Sequence, residues 1–335
     1  MVAQGESDGR HTGSVTSVIS LADRWDHFLA RWGVNRSGHR VAPGLYALGQ
    51  PTADSPVFVT ANYTLSFDAL RPALAGIDGY ILVLDTQGIN VWCAAGKGTF
   101  GTDELVARVE AVTLKEAVRH RKLILPQLGA PGVAAQEVRR RSGFEVEYGP
   151  VRASDLPAYL STGEATPEMR QIGFGLLDRV VLIPVELAHV LLPTLAAAAV
   201  LYFAGGGLVA AGLVAAVLAG VVLFPVLLPW LPTREFTSKG FILGSLTAVP
   251  FSMAIVRADR EVSSLPAYGW ALSFLLLASS VTAFLALNFT GSTPFTSRSG
   301  VRREIQRYAW VMAGMFLGGI ILMVALRVIG AVSGA

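Results

Sequence analysis

The sequence predicts an α/β domain followed by an all-α bundle of membrane-spanning helices, on three observations. Residues 1–170 alternate short β-type runs with helical patterns, the rhythm of a mostly parallel sheet with helices on its faces. Residues 180–333 carry five long apolar runs with almost no charge. The composition is 52% hydrophobic and 15% charged, with a mean hydropathy of +0.51, against a charged fraction of about 25% in ordinary soluble domains. The expected organisation is a domain over residues 1–170, a linker over 171–179 and a membrane domain over 180–333.

Taken in order, residues 1–18 read as weakly ordered and 21–32 (LADRWDHFLARW) as a short amphipathic helix ended by Gly33. Residues 41–56 contain Pro43-Gly44 and Gln50-Pro51 and read as loop with at most a short strand. The run 57–60 is a strand, a helix starts with Ser66 as its N-cap, and 80–84 is the next strand. A glycine-rich loop carrying Cys93 follows, then a helix over 102–112, a strand over 123–125 and a turn at Gly129 to Gly132. A helix over 133–141, a short strand over 144–146 and a short helix over 155–160 complete the domain, and 161–173 reads as the lead to the membrane.

The five apolar runs are 180–203, 208–230, 241–256, 270–289 and 310–329. All but the third reach the roughly 20 residues that cross a bilayer; the third is short enough to be re-entrant. With the N-terminal domain in the cytoplasm, the inner loops hold Arg234, Lys239, Arg298, Arg302, Arg303 and Arg307. The outer loops hold Arg257 and Arg260, matched by Asp259 and Glu261. That bias orients the chain with its C-terminus outside, in a cytoplasmic (inner) membrane. The first 13 residues are polar, so no secretory signal is expected there. The +3 net charge is accounted for by these loops, and no basic stripe with interleaved aromatics points to nucleic acid.

The chemistry-bearing stretch is 88–102, which holds the one cysteine of the chain between a strand and a helix. Ligands of open α/β sheets lie beyond the carboxyl ends of the strands, so a soft sulfur ligand belongs there. A thiol near a helix start ionises more readily, and thiolate is the metal-binding form. Trp92 offers a flat surface beside it, and Ala94-Ala95-Gly96 remove bulk. One cysteine cannot ligate a four-cysteine iron–sulfur cluster, so none is expected in this chain. Gly96-Lys97-Gly98-Thr99-Phe100-Gly101 matches G-x-G-x-x-G, but it starts well beyond the strand end, and no acidic residue closes the next strand. The alternative it leaves open is a membrane transport or anchoring protein with a regulatory nucleotide-binding domain. Glu186 and His189, one turn apart in the first apolar run, are candidates for proton or ion handling. By the strand-end argument, Thr60, Asn62, Leu125 and Gln127 are candidate pocket walls.

The run Asn90-Val91-Trp92-Cys93-Ala94-Ala95-Gly96-Lys97 resembles the cap-helix motif of the mercury-methylating corrinoid protein family, HgcA. The domain around it resembles the corrinoid-binding domain of the corrinoid iron–sulfur protein large subunit. The resemblance implies a Rossmann-like domain holding a cobalamin-type corrinoid, with Cys93 as catalytic residue and axial ligand to cobalt. Asn90, Val91, Trp92, Ala94, Ala95, Gly96 and Lys97 would shape the helix beneath the ring. It implies a methyltransferase that passes a methyl group from a cysteine-ligated methyl-cobalt corrinoid to Hg(II), forming methylmercury. The partners it implies are a ferredoxin-like electron donor with two [4Fe–4S] clusters (HgcB), a methyltetrahydrofolate-linked methyl donor and the lipid of the membrane.

Overall fold

The computed structural model describes residues 13–258 and 265–333. The chain divides into two compact units, Met1–Gly173 and Phe174–Ala335.

The first unit is built on a six-stranded sheet of β1 (Gly13–Val15), β2 (Gly44–Leu48), β3 (Val57–Ala61), β4 (Gly79–Leu84), β5 (Lys122–Leu125) and β6 (Glu145–Tyr148). Their spatial order is β1-β2-β4-β3-β5-β6. All pairings are parallel except β2 with β4. Every residue of β3 and β4 is buried, as expected for central strands covered on both faces. Val57, Val59, Ala61, Leu82 and Leu84 face one core, shared with α3 (Val91–Lys97), α4 (Thr102–Ala111) and α6 (Ala135–Ser142). Phe58, Ile81 and Val83 face the other, shared with α2 (Thr64–Ala73) and α7 (Leu156–Thr162).

From β3 the chain passes through α2 to β4 on one side. From β4 it passes through α3, α4 and α5 (Leu114–Ala117) to β5 on the other side of β3. The winding direction therefore reverses between β3 and β5, and the crevice beyond their carboxyl ends is where such sheets bind ligands.

Several local expectations change. Residues 13–15, expected to be weakly ordered, form the edge strand β1; residues 1–12 lie outside the described residues. The 41–56 loop contains β2, held by the register Gly44↔Val83 to Leu48↔Gly79, a distant pairing that local turn residues conceal. α2 starts at Thr64 rather than after Ser66, with Tyr63 at the N-cap and no side-chain cap bond. The Cys93 loop is in large part the helix α3. The segment 161–173 is no free lead: α7 runs to Thr162, Ala165 and Met169 pack on the second core, and the Val151 N–H donates to the Met169 carbonyl at 2.8 Å.

Among its described residues the second unit has five helices long and apolar enough to cross a membrane: Leu176–Phe203, Gly207–Leu227, Phe236–Arg257, Leu265–Ser292 and Arg298–Gly330. The third, expected to be short, belongs to a helix of 23 residues, Phe236–Ala258, because polar Thr237, Ser238 and Lys239 continue the helix beyond the apolar run. It packs closely on the fourth. A Cβ on Gly240 would come within 2.6 Å of Ala283 Cα, and one on Gly244 within 2.9 Å of Ser279 Cα. Small residues four apart let helix backbones meet where no hydrophobic drive exists between them. Hydroxyls bond across the bundle: Ser273 to the Gly319 carbonyl at 2.7 Å, and Thr282 to the Ala216 carbonyl at 2.9 Å. Glu186 accepts a hydrogen bond from the Ser292 hydroxyl at 2.9 Å, while His189 lines a separate, largely apolar cavity.

Candidate functional site

The site begins where β4 ends. Gln87 (φ 60°) and Gly88 (φ 72°) turn the chain through left-handed conformations, and a Cβ on Gly88 would also collide with Arg40. Buried Asn62, just past β3, holds this turn. Its Oδ1 accepts the N–H groups of Thr86 (3.1 Å) and Gly88 (2.9 Å) and lies 2.9 Å from the Thr86 hydroxyl. Its Nδ2 donates to Asp85 Oδ1 at 3.1 Å. Asp85 in turn accepts the Gln87 N–H, and its own N–H donates to Glu104 at 2.8 Å.

Asn90 then caps α3, its side chain accepting the Cys93 N–H at 2.9 Å. The seven residues of α3 divide cleanly. Val91, Ala94 and Ala95 are buried in the core; Trp92, Cys93, Gly96 and Lys97 are exposed. The alanines thus admit close packing on the domain, and the outward ridge is the surface open to a ligand. A Cβ on Gly96 would meet nothing within 4 Å.

α3 is seated from below by the turn after β5. A Cβ on Gly132 would strike the Phe100 carbonyl and come within 3.0 Å of Ala95 Cα; one on Gly129 would lie 2.5 Å from the Phe100 ring. Phe100 is fully buried. Gly98 (φ 86°) ends α3, and Gly101 is the N-cap of α4. The glycines of the G-x-G-x-x-G run therefore begin within α3 and shape a helix-to-helix turn. They do not form the strand-to-helix loop that a dinucleotide pyrophosphate requires.

Beside α3 lies a cavity of about 290 Å³ at the carboxyl ends of β3 and β5, the point of reversal. Thr60, Ser66, Asn90, Val91, Trp92 and Leu125 line it, with Pro126, Val151 and Leu156. Of the residues expected at the site, Thr60, Leu125, Asn90, Val91 and Trp92 converge on this cavity. Cys93, Gly96 and Lys97 stand on the ridge next to it, and Trp92 belongs to both. Ala94 and Ala95 face the core, and Asn62 is committed to the 85–88 turn. Gln127 starts a 3₁₀ turn, its side chain accepting from Arg170 at 3.1 Å. Sequence reasoning missed Ser66, taken for a helix cap, and the seat formed by Phe100 and Gly132. The Gly-x-x-Gly spacing at 129–132 was the available signal for that seat.

Residues 33–160 match the family model described as CO dehydrogenase/acetyl-CoA synthase delta subunit. The chain is 34% identical over 127 residues to the acetyl-CoA decarbonylase/synthase complex subunit gamma of Methanopyrus kandleri, covering 37% of this chain and 27% of that protein. It is 31% identical over 122 residues to the corrinoid/iron-sulfur protein large subunit of Moorella thermoacetica, covering 36% and 27%. The N-terminal domain is related to these proteins. The matched stretch contains β2 through most of α7, and with them both the ridge and the cavity. The chain spans about a quarter of the length of these curated relatives.

Proposed function

We propose that this chain is a membrane-anchored corrinoid-dependent methyltransferase whose acceptor is Hg(II) and whose product is methylmercury. The observation that carries the reading is the placement of Cys93. A lone exposed thiol stands on the ridge of α3, beside the cavity at the β3/β5 reversal, in a domain related to a corrinoid protein subunit.

The residues present fit a corrinoid. A cavity of about 290 Å³ is at the lower limit for a drug-sized ligand, typically about 300–1,000 Å³, and so too small for a macrocycle. The ridge has no such limit: Gly96 faces open space, and Trp92 is 40% exposed. Trp92, Cys93, Gly96 and Lys97 on the ridge would hold the corrinoid, with the Thr60 and Ser66 hydroxyls of the adjoining cavity as further polar contacts. A bound corrinoid supplies a cobalt centre able to carry a methyl group and release it to a soft acceptor.

The protein's part is to hold and donate. Asn90 fixes the first turn of α3, so the Cys93 sulfur leaves the helix at a set position. Cys93 would supply the sulfur ligand to the cobalt, a softer and more electron-donating group than a histidine nitrogen and one suited to methyl transfer to a cation as soft as Hg(II). The Asn90–Lys97 run, which resembles the mercury-methylating family, supports that acceptor over the acceptors of the acetyl-CoA complexes. The domain lies in the cytoplasm, where the ferredoxin-like partner HgcB supplies reducing electrons and a methyltetrahydrofolate-linked protein supplies the methyl group. The Lys/Arg bias of the loops supports that orientation in the inner membrane, with the C-terminus outside.

The test is methylmercury formation by the purified full chain, supplied with corrinoid, a strong reductant and a methyl donor. Wild-type protein forms methylmercury, and Cys93→Ala does not. Equal rates in the two proteins overturn the reading.

A further inference from the structure

The helix α1 (Leu21–Arg31) is attached to its domain by its polar face. Asp23 pairs with Arg71 at 3.2 Å, Asp26 with His39 at 2.7 Å and His27 with Asp68 at 2.7 Å. Arg71 is itself fixed by Asp68 at 2.6 Å and by the Thr16 carbonyl at 2.9 Å. Residues 23, 26 and 27 share one face of a helix, and no residue of α1 is buried. The opposite face carries Leu21, Trp25, Phe28 and, just past the helix, Trp32, at the spacing of a continuous apolar stripe. Leu21 is 85% exposed, Trp25 61% and Phe28 48%, with the Trp25 and Phe28 rings stacked 5.3 Å apart. An ordinary surface helix does the reverse, burying its stripe and wetting its charges.

The charges beside the stripe have one sign. Asp23 and Asp26 are turned inward onto Arg71 and His39, whereas Arg24, Arg31 and Arg36 are exposed. An aromatic and aliphatic stripe flanked by arginines is the surface that settles in the interface of an anionic bilayer. The same chain carries five helices of membrane-crossing length from Leu176 onward. Tethering keeps the domain at high effective concentration near lipid, so a patch too small to hold a free protein is sufficient. We propose that α1 lies on the surface of the membrane into which this chain is inserted, with Leu21, Trp25 and Phe28 among the headgroups. This contact is independent of what the domain binds.

The test uses the full chain carrying Cys93→Ser and Leu21→Cys, with a nitroxide on residue 21, reconstituted into vesicles of phosphatidylglycerol or of phosphatidylcholine. Relaxation by oxygen, which concentrates in lipid, is compared with relaxation by a water-soluble nickel chelate. In phosphatidylglycerol the label relaxes preferentially with oxygen. Trp25→Ser with Phe28→Ser reverses the preference, and these exposed positions leave the fold intact. Each of Arg24→Gln, Arg31→Gln and Arg36→Gln lowers the docked-to-undocked ratio about fivefold, an effect absent in phosphatidylcholine. A label that relaxes with the nickel chelate in both vesicles overturns the proposal and marks the stripe as a surface for another protein. A depth unchanged by the double serine variant also overturns it.

Discussion

Asn90 Oδ1 accepts the backbone N–H of Cys93 at 2.9 Å, so the residue that starts α3 also fixes the position from which the sulfur departs. Removing an N-cap of this kind costs about 1 kcal/mol. Asn90→Ala is expected to lower stability by that amount and to weaken corrinoid retention, whereas Asn90→Asp preserves the cap. Denaturant unfolding of the full chain, with visible absorption of the retained corrinoid, checks both.

Two glycines, Gly96 within α3 and Gly132 beneath it, should respond in opposite ways. Gly132→Ala places a methyl against the Phe100 carbonyl and Ala95, and overpacking against backbone costs about 2 kcal/mol. Gly96→Ala meets no atom and improves helix propensity by about 1 kcal/mol. It nevertheless raises the outward ridge that is proposed to hold the corrinoid. The expected pair of results is unfolding at lower denaturant with Gly132→Ala, and a more stable protein that retains less corrinoid with Gly96→Ala.

Asn62 is expected to act through the turn and not through the ligand. Asn62→Ala leaves the amides of Thr86 and Gly88 without their side-chain partner and the Asp85 carboxylate with only the Gln87 N–H, and the buried Thr86 amide alone makes this a loss of about 1–3 kcal/mol. Thermal unfolding should shift downward by the same interval with and without corrinoid.

The alternation of strands and helices, the place of the Cys93 stretch between β4 and α4, and the five apolar runs were legible in the sequence because each is a local pattern. β2 was not, since Gly44 to Leu48 is held by pairing with β4, some 35 residues onward. Nor was the split within α3. The alanines beside Cys93 read as space for a ligand until the seat at Gly132 and Phe100 showed them turned toward the core. Asn62 and Gln127 were placed correctly at strand ends but have partners of their own there. The polarity of α1 was likewise hidden: an amphipathic pattern identifies two faces, and only the distant Arg71, His39 and Asp68 decide which one turns inward.

Acid should loosen α1. Burial pushes the Asp23 carboxyl up, but hydrogen bonds from Ser20 and Arg71, with the Arg71 charge, outweigh it and hold the group below the ordinary aspartate value of 3.8. A carboxyl depressed in the folded state stabilises it fully above the unfolded value, and that contribution is lost as pH falls through the folded one. Hydrogen exchange of residues 21–31 should therefore stay slow at neutral pH and accelerate below about pH 4, while Asp23→Asn exchanges fast at pH values where the wild type is protected.

The central claim is that the Cys93 sulfur is the axial partner of a corrinoid cobalt, and electron paramagnetic resonance of the reduced, corrinoid-loaded Co(II) protein tests it most directly. The account predicts a wild-type spectrum free of axial nitrogen splitting, a clear change in Cys93→Ala, and the appearance of nitrogen splitting in Cys93→His. Nitrogen splitting in the wild type, or identical spectra for wild type and Cys93→Ala, would contradict it.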